Sequence, residues 1–438
     1  MTAILHDIGN APRERAIIIA VVRKGADPDV VSEHLDELEL LLDTAGADVA
    51  LRMYQERDRP DGATCIGKGK LEELRGLIDD ENVQMVVFDD ELSPVQVRNL
   101  EKELNVKILD RTGVILDIFA SHARSLESRT QVELAQLEYL MPRLTRMWTH
   151  LSKQYGGVGT KGPGETQIET DRRMFRTRIQ RLKEKLAQIN VQRSVQRKGR
   201  ENITRCALVG YTNAGKSSLM RALTNADVLV EDRLFATLDT TVRSLDLPSG
   251  KRVLLSDTVG FIRKLPPQLV ASFRTTLAEA IESDIIIHVV DAAAGHSADH
   301  IMVVNETLKN IGITHHPTIL VFNKIDCITD PYALMDLQAS YPDAVFTSAL
   351  TGFNLDALTD AIQRVADTLS VTRTVCIPYS DAAYIAKLYR DSEVLLRTDD
   401  ENGTTLQVKL TPEMLATFNQ RYSQYLCDPV ICTTQPTP

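Results

Sequence analysis

The chain has no unbroken apolar run of about eighteen residues, the length that a membrane-crossing helix needs, so nothing in it reads as transmembrane. Its first residues, MTAILHDIGNAPRER, lack the basic start and long apolar stretch of a secretory signal. Cysteine is sparse and scattered. Cys65, Cys206, Cys327, Cys376, Cys427 and Cys432 form no C-x-x-C pair and have no histidine cluster beside them. The six therefore read as reduced thiols of a cytosolic protein rather than as zinc ligands or disulfides. Excess positive charge is lacking too: the formal net charge is −10, which argues against a surface that coats nucleic acid throughout.

The charge is uneven, however. Between Arg172 and Arg205 stand Arg172, Arg173, Arg176, Arg178, Arg181, Lys183, Lys185, Arg193, Arg197, Lys198, Arg200 and Arg205, against only Glu184 and Glu201. A basic arm on an acidic protein implies one confined contact with an anionic partner; a solvated helix face is the plainer reading.

At 438 residues the chain is long enough for about two to four domains. AIIIAVV at 16–22 reads as a buried strand, and Leu35, Leu38, Leu41 and Leu42 follow at helical spacing. Strand and helix then alternate: Val83–Phe88, Val95–Leu104, Val106–Leu109 and Val114–Ala123. That order predicts a parallel α/β unit over residues 1–125. From 126 to 202 the pattern changes. Leu134, Leu137, Met141 and Leu144 form one apolar stripe, and Phe175, Ile179, Leu182, Leu186 and Ile189 another. With GGVGTKGPGET between them, the two predict an antiparallel helical hairpin with a glycine-rich tip. Thr166 and Glu169 read as a capping box opening its second helix. Strand–helix alternation resumes over 203–369. Residues 370–438 read as a small α+β segment with a strand at 404–410 and a disordered tail, DPVICTTQPTP.

The third region carries chemistry. RCALVGYTNAGKSSLM is a strand, a glycine-bearing turn and a helix start, with G-x-x-x-x-G-K-S at Gly210, Gly215, Lys216 and Ser217. Backbone N–H groups from Gly210 through Tyr211, Thr212, Asn213 and Ala214 to Gly215 can wrap a phosphate chain at a helix N-terminus. Lys216 reaches the β- and γ-phosphates, and the Ser217 hydroxyl is a Mg²⁺ ligand. TILVFNKID places Asn323, Lys324, Ile325 and Asp326 at a strand end. The Asp326 carboxylate can accept from guanine N1–H and its exocyclic amine. Adenine has no such donor pair, and rejection of that kind reaches the order of 10⁴. Ser348, Ala349 and Leu350 in FTSALTG can offer a backbone N–H to guanine O6. In VLLSDTVGFI, Asp257 can hold a metal-bound water, and Gly260, after Thr258 and Val259, can contact the γ-phosphate. LFATLDTTV offers Thr237, Thr240 and Thr241 as a second hydroxyl for Mg²⁺. GTP and GDP are thus the expected nucleotides.

Together, GYTNAGKSS, FATLD, DTVGFIR, NKID, TSALTG and the upstream GPGETQIETDRR resemble the HflX family of translation-factor-class GTPases, over roughly residues 15–370. The resemblance nominates Thr237 of Phe235-Ala236-Thr237-Leu238-Asp239 as the metal ligand, and Lys216, Thr237, Asp257 and Gly260 as the catalytic set. Here Thr240 follows Asp239 where the family has proline. The resemblance implies a cytoplasmic GTPase, peripheral membrane association left open, that binds the ribosome, chiefly its large subunit, and dissociates or rescues ribosomes under stress. A monomer is expected. Lys153, Lys161, Arg172 and Arg173 are then nominees for RNA phosphate contacts, and Tyr155 for stacking on a base. Two other readings remain: a signalling GTPase acting on a protein effector, at a membrane or not, and a nucleotide-independent RNA scaffold. The first needs no basic hairpin, and the second needs no GTP site.

Overall fold

The computed structural model describes residues 13–143, 163–197, 203–224, 233–264, 278–369, 371–410 and 412–427. Lys153, Tyr155 and Lys161, nominated for RNA contact, and the tail from residue 428 lie outside them.

The first unit is built from β1 (Glu14–Val22), α1 (Pro28–Ala45), β2 (Ala47–Glu56), α2 (Lys68–Glu81), β3 (Met85–Phe88), α3 (Pro94–Leu104), β4 (Lys107–Asp110) and α4 (Arg111–His122). Its four strands are parallel, in the order β2-β1-β3-β4. Side chains alternate across a strand, so Ile17 and Ile19 pack with α2 and α3 while Ala16, Ile18 and Ala20 pack with α1 and α4. Among the strands of this unit, β2 is the one the alternation above leaves out. It is an edge strand with only Ala47 and Met53 buried, so no apolar run marks it.

α5 (Leu126–Leu140) and α6 (Pro163–Arg197) form the hairpin. Leu134, Ile179 and Leu182 make its seam, with Leu137, Met141 and Leu186 against them. α6 begins no later than Pro163, so Thr166 and Glu169 sit inside it and do not cap it. Arg178 pairs with Glu133 at 2.6 Å and Lys183 with Glu138 at 2.9 Å, so two of the arm's cations are engaged across the hairpin.

The next sheet has six strands: β5 (Arg205–Gly210), β6 (Thr241–Asp246), β7 (Arg252–Asp257), β8 (Ile285–Asp291), β9 (Thr318–Asn323) and β10 (Val345–Phe346). Their order is β10-β9-β8-β5-β7-β6, parallel except for the β6–β7 pair. Helices α7 (Lys216–Thr224), α8 (Ser297–Asn310), α9 (Pro331–Ser340) and α10 (Leu355–Thr368) belong to this unit. The last unit is an antiparallel sheet, β11 (Val371–Pro378), β13 (Gly403–Leu410) and β12 (Glu393–Asp399) in that order, with α11 (Ala383–Asp391) and α12 (Pro412–Tyr422). Ile377 and Leu388 are in its core.

The thiol reading fails for one pair. Cys376 and Cys427 are joined by a disulfide, their Cα atoms 6.2 Å apart. The chain returns alongside β11 after α12, where Val375 bridges Leu426, and this brings together cysteines 51 positions apart. Spacing along the sequence cannot show such a return. Cys65 and Cys206 are buried free thiols, pushed up by burial to about 11 and about 12. Among the described residues no helix is long and apolar enough to cross a membrane.

The first and third units share one apolar core. Ile18, Leu38 and Phe119 belong to the same buried cluster as Val209, Phe235 and Phe261. Phe119 meets Phe235 edge-on, ring centroids 4.7 Å apart, and burying a side chain of that size contributes roughly 1.5–3 kcal/mol. Ion pairs gather at the same junction. Arg111, 3% exposed, bonds Asp89 at 2.8 Å and pairs with Glu37. Lys264 pairs with Asp89 and Asp90, and Arg263 with Glu33.

Candidate functional site

The loop between β5 and α7 lies at the carboxyl end of the central strand, where open parallel sheets place their ligands. A cleft there is lined by Thr212, Asn213, Gly215, Lys216, Ser217, Ser218, Arg233, Phe235, Ala236, Thr237, Thr258 and Gly260. Two glycines are required by space. Gly215 has φ +88°, and a Cβ on it would lie 2.2 Å from Asn323 Nδ2. A Cβ on Gly260 would stand 2.8 Å from Thr212 Cα and 3.0 Å from Lys216 Nζ.

Lys216 is buried, its Nζ donating to the carbonyls of Tyr211 at 2.9 Å and Gly210 at 3.3 Å. Burial lowers its pKa to about 8, against the opposing pull of Asp257. Ser217 Oγ lies 2.8 Å from Thr237 Oγ1 and donates to Asp257. Asp257 is fully buried at the end of β7, and burial raises its pKa although Lys216 and the hydrogen bonds from Ser217 and Thr237 oppose this. Its Oδ1 has no partner, nor has the buried Thr212 hydroxyl. Of the three threonines, Thr237 is the one beside Ser217, whereas Thr241 opens β6. Two hydroxyls and an incompletely satisfied buried carboxylate are a donor set that suits a hard divalent cation.

Segment 258–261 is stitched onto the loop. Thr212 N–H donates to Phe261 O at 2.7 Å, and Phe261 N–H to Gly210 O at 3.0 Å. Phe261 is buried, Val259 belongs to the core, and the Thr258 hydroxyl is spent on Leu208 O.

Several nominated residues do other work. Tyr211 turns its side chain to the first unit: its hydroxyl donates to Glu37, accepts from Arg263 N–H at 2.8 Å, and its ring stacks on His300 at 3.9 Å. Phe235 and Leu238 are buried in the shared core, although Phe235 also borders the cleft. Asp239 faces the hairpin, accepting from Arg124 and Ser125 N–H at 3.0 Å each and from Ser125 Oγ at 2.6 Å. Burial alone would raise its carboxyl, but those hydrogen bonds hold it below the usual range. Apolar type and nearness in sequence gave no sign of these directions.

On the base side, Asn323 is a strut. Its Nδ2 donates to Ala214 O at 3.1 Å and its Oδ1 accepts from Ala349 N–H at 3.0 Å. Lys324, at φ +64°, pairs with Asp291 at 2.9 Å, and its stem passes Gly215. Ile325 N–H is tied to Thr347 O, leaving Asp326 exposed beside it. Ser348 N–H goes to Phe353 O and Ala349 N–H to Asn323, so of the three N–H groups nominated for guanine O6, that of Leu350 stands outside these bonds. Ser218 and Arg233 line the cleft without having been nominated. Ser218 follows the motif serine, and the signal for Arg233 was its place immediately before LFATLD.

Comparison with known proteins covers nearly the whole chain. Residues 32–120 match the family "GTP-binding GTPase N-terminal", 122–200 "GTP-binding GTPase Middle Region", 205–324 "50S ribosome-binding GTPase" and 333–426 "HflX C-terminal domain". The likeness therefore runs beyond the 15–370 span that the sequence motifs suggest. A GTP-binding protein of Sulfolobus solfataricus solved with GDP is 27% identical, covering 81% of this chain and 99% of that one, with a TM-score of 0.43. The GTPase HflX of Flavobacterium psychrophilum is 52% identical over 313 residues, 72% of this chain and 76% of that one. That of Magnetococcus marinus is 43% identical over 405 residues, 92% of this chain and 94% of its own length, and on that likeness the chain belongs to the GTPase HflX family, a family of GTP-hydrolysing enzymes.

Proposed function

We propose that this protein binds GTP and Mg²⁺ in the β5–α7 cleft and uses the GTP-bound form to engage the large ribosomal subunit through its hairpin, dissociating or rescuing ribosomes. In this reading residues 1–125, 126–202, 203–369 and 370–438 are the working units. The N–H groups of residues 210–217 cradle the phosphates, and Lys216 leaves the Gly210 and Tyr211 carbonyls for the β- and γ-oxygens. Ser217 and Thr237 would hold Mg²⁺, with the Asp257 carboxylate beside them. The bound ion withdraws charge from the phosphate oxygens. Gly260 N–H meets the γ-phosphate. Asp326 reads guanine, and Leu350 N–H, near Ser348 and Ala349, faces its O6.

A water attacks the γ-phosphorus, and the bond to the β–γ bridging oxygen breaks. Many GTPases orient that water with glutamine after the switch glycine. Here Phe261 holds the position, with no polar group, so turnover by the free protein is slow and the ribosomal subunit stimulates it.

The observation that supports this reading best is the contact from Asp239, two residues past Thr237, to Ser125 at the hairpin's base. It offers a direct path from nucleotide state to hairpin. A signalling GTPase without RNA contact would have no need of the basic arm to which that path leads. Sedimentation with purified subunits, in GDP and in a non-hydrolysable GTP analogue, tests the reading together with single-turnover hydrolysis. The expected result is binding to large subunits in the GTP state and faster hydrolysis there. Equal binding in both nucleotide states, or fast hydrolysis unaffected by subunits, would overturn it.

A further inference from the structure

The cleft is lined by two cations, Lys216 and Arg233. They differ in every respect that matters for catalysis. Lys216 is buried and fixed to the Gly210 and Tyr211 carbonyls, placed to meet phosphate in the ground state. Arg233 is exposed at the cleft mouth. The other cations of this junction are already paired: Arg111 with Asp89 and Glu37, Arg263 with Glu33, Lys264 with Asp89 and Asp90, Lys324 with Asp291. Among the described residues, no carboxylate pairs with Arg233.

Its backbone is held although its side chain is open. Leu234 and Phe235, which follow it, are 6% and 3% exposed. Phe235 is at φ +56° with its ring edge-on to Phe119. Further on, Leu238 is buried and Thr237 is bonded to Ser217. A guanidinium on a four-bond stem thus projects from a pinned turn beside the phosphate loop.

We infer that Arg233 is a catalytic residue of GTP hydrolysis, a charge-stabilising arginine supplied by the chain itself. The inference rests on the nucleotide-site reading above. As water bonds to the γ-phosphorus, the bond from that phosphorus to the β–γ bridging oxygen breaks. The electron pair stays on the GDP oxygen, and the water's proton passes to the released phosphate. Negative charge therefore grows on the bridging oxygen, which a planar guanidinium can meet with two N–H donors. Phe261 cannot supply that charge. Ordering of the exposed Arg233 side chain on the ribosome would bring the guanidinium to the oxygen, so the stimulating partner need contribute order rather than a side chain.

The test compares wild type, Arg233→Ala and Arg233→Lys in GDP and GTP affinity, single-turnover hydrolysis with and without large subunits, and capture of GDP with aluminium fluoride. The expected result for Arg233→Ala is nucleotide affinity within about threefold of wild type, with subunit-stimulated hydrolysis slowed on the order of 10³-fold or more. Aluminium fluoride capture is lost with it. Arg233→Lys recovers only part, since a point charge lacks the fork. Hydrolysis and capture equal to wild type with binding intact would overturn the inference, and so would a loss confined to ground-state GTP affinity. If wild type itself failed to bind GTP, the site reading would fall instead.

Discussion

Ser125 Oγ and N–H, at the start of the hairpin, both donate to the carboxylate of Asp239, two residues beyond the Thr237 hydroxyl that touches Ser217. Ser125 is also the N-cap of α5, its hydroxyl accepting from Ser128 N–H at 3.1 Å. One carboxylate therefore fixes the capping residue of a helix whose far end leads to the hairpin tip. Asp239→Asn keeps the volume but replaces one acceptor by a donor facing the Ser125 N–H and hydroxyl. The first turn of α5 should loosen by about 1 kcal/mol, the usual worth of a cap. Amide exchange at residues 124–128 should quicken roughly fivefold, with GDP affinity unchanged. Unaltered exchange there would show that the contact carries nothing.

Guanine selectivity should rest on Asp326. Its neighbours are engaged: Asn323 between Ala214 and Ala349, Lys324 with Asp291. Asp326 alone of the motif's polar side chains is left exposed at the strand end. Asp326→Asn should lose GTP by several powers of ten and gain xanthosine triphosphate, whose C2 carries oxygen in place of the amine. Titration with both nucleotides measures this, and undiminished GTP affinity is the result that refutes it.

How much of this was legible follows from what each signal measures. Gly215, Lys216 and Ser217, which line one cleft, could be nominated because a phosphate-wrapping loop demands residue types at fixed spacing, and Asp326 was nominated by the same kind of spacing. The hairpin seam was readable because Leu134, Ile179 and Leu182 repeat at helical period. Tyr211, Phe235, Leu238 and Asp239 stand within the same motifs, yet their side chains serve the junction with the first unit or the hairpin. A motif fixes where the backbone passes, and the direction of a side chain depends on partners more than a hundred positions away, such as Glu37 for Tyr211 and Ser125 for Asp239. β2 escaped because an edge strand buries too little to show a pattern. The Cys376–Cys427 bridge depends on a chain return that no local signal records.

Acid stability should depend on His288. It lies on β8, 2% exposed, and its Nε2 has no partner. Burial, with a smaller contribution from Lys216, lowers its pKa to about 4, against an ordinary value of 6.5. Between those values the unfolded chain binds a proton that the folded chain does not, so stability falls as pH drops through that window and is fully regained above the unfolded value. At about 1.4 kcal/mol per pH unit, the loss between pH 7 and 4.5 is about 2–3 kcal/mol. His288→Leu removes the group, so urea denaturation at the two pH values should show a correspondingly smaller difference than in wild type. An equal difference would mean that other groups set the acid limit.

The last prediction concerns the basic arm. Not all of its cations are equivalent. Arg178 and Lys183 are held by Glu133 and Glu138 of the facing helix, whereas Arg173 is exposed and Arg172 half-buried nearer the hairpin tip. Each phosphate contact releases condensed counterions and steepens the salt dependence of binding by roughly 0.7–0.9 in logarithmic slope. Replacing Arg172 and Arg173 together by alanine should therefore weaken binding to large subunits and lower that slope by about 1.5. Both residues lie far along the chain from the loop at 210–217, so GTP affinity should not change. Arg178→Ala is the matched control: it removes a positive charge from the same helix, but one already engaged, and the slope should stay as it was. Cosedimentation across a salt series separates the cases. A double variant that follows the wild-type line, or a control that falls as far as the double variant, would mean that the arm holds the hairpin together and does not read RNA.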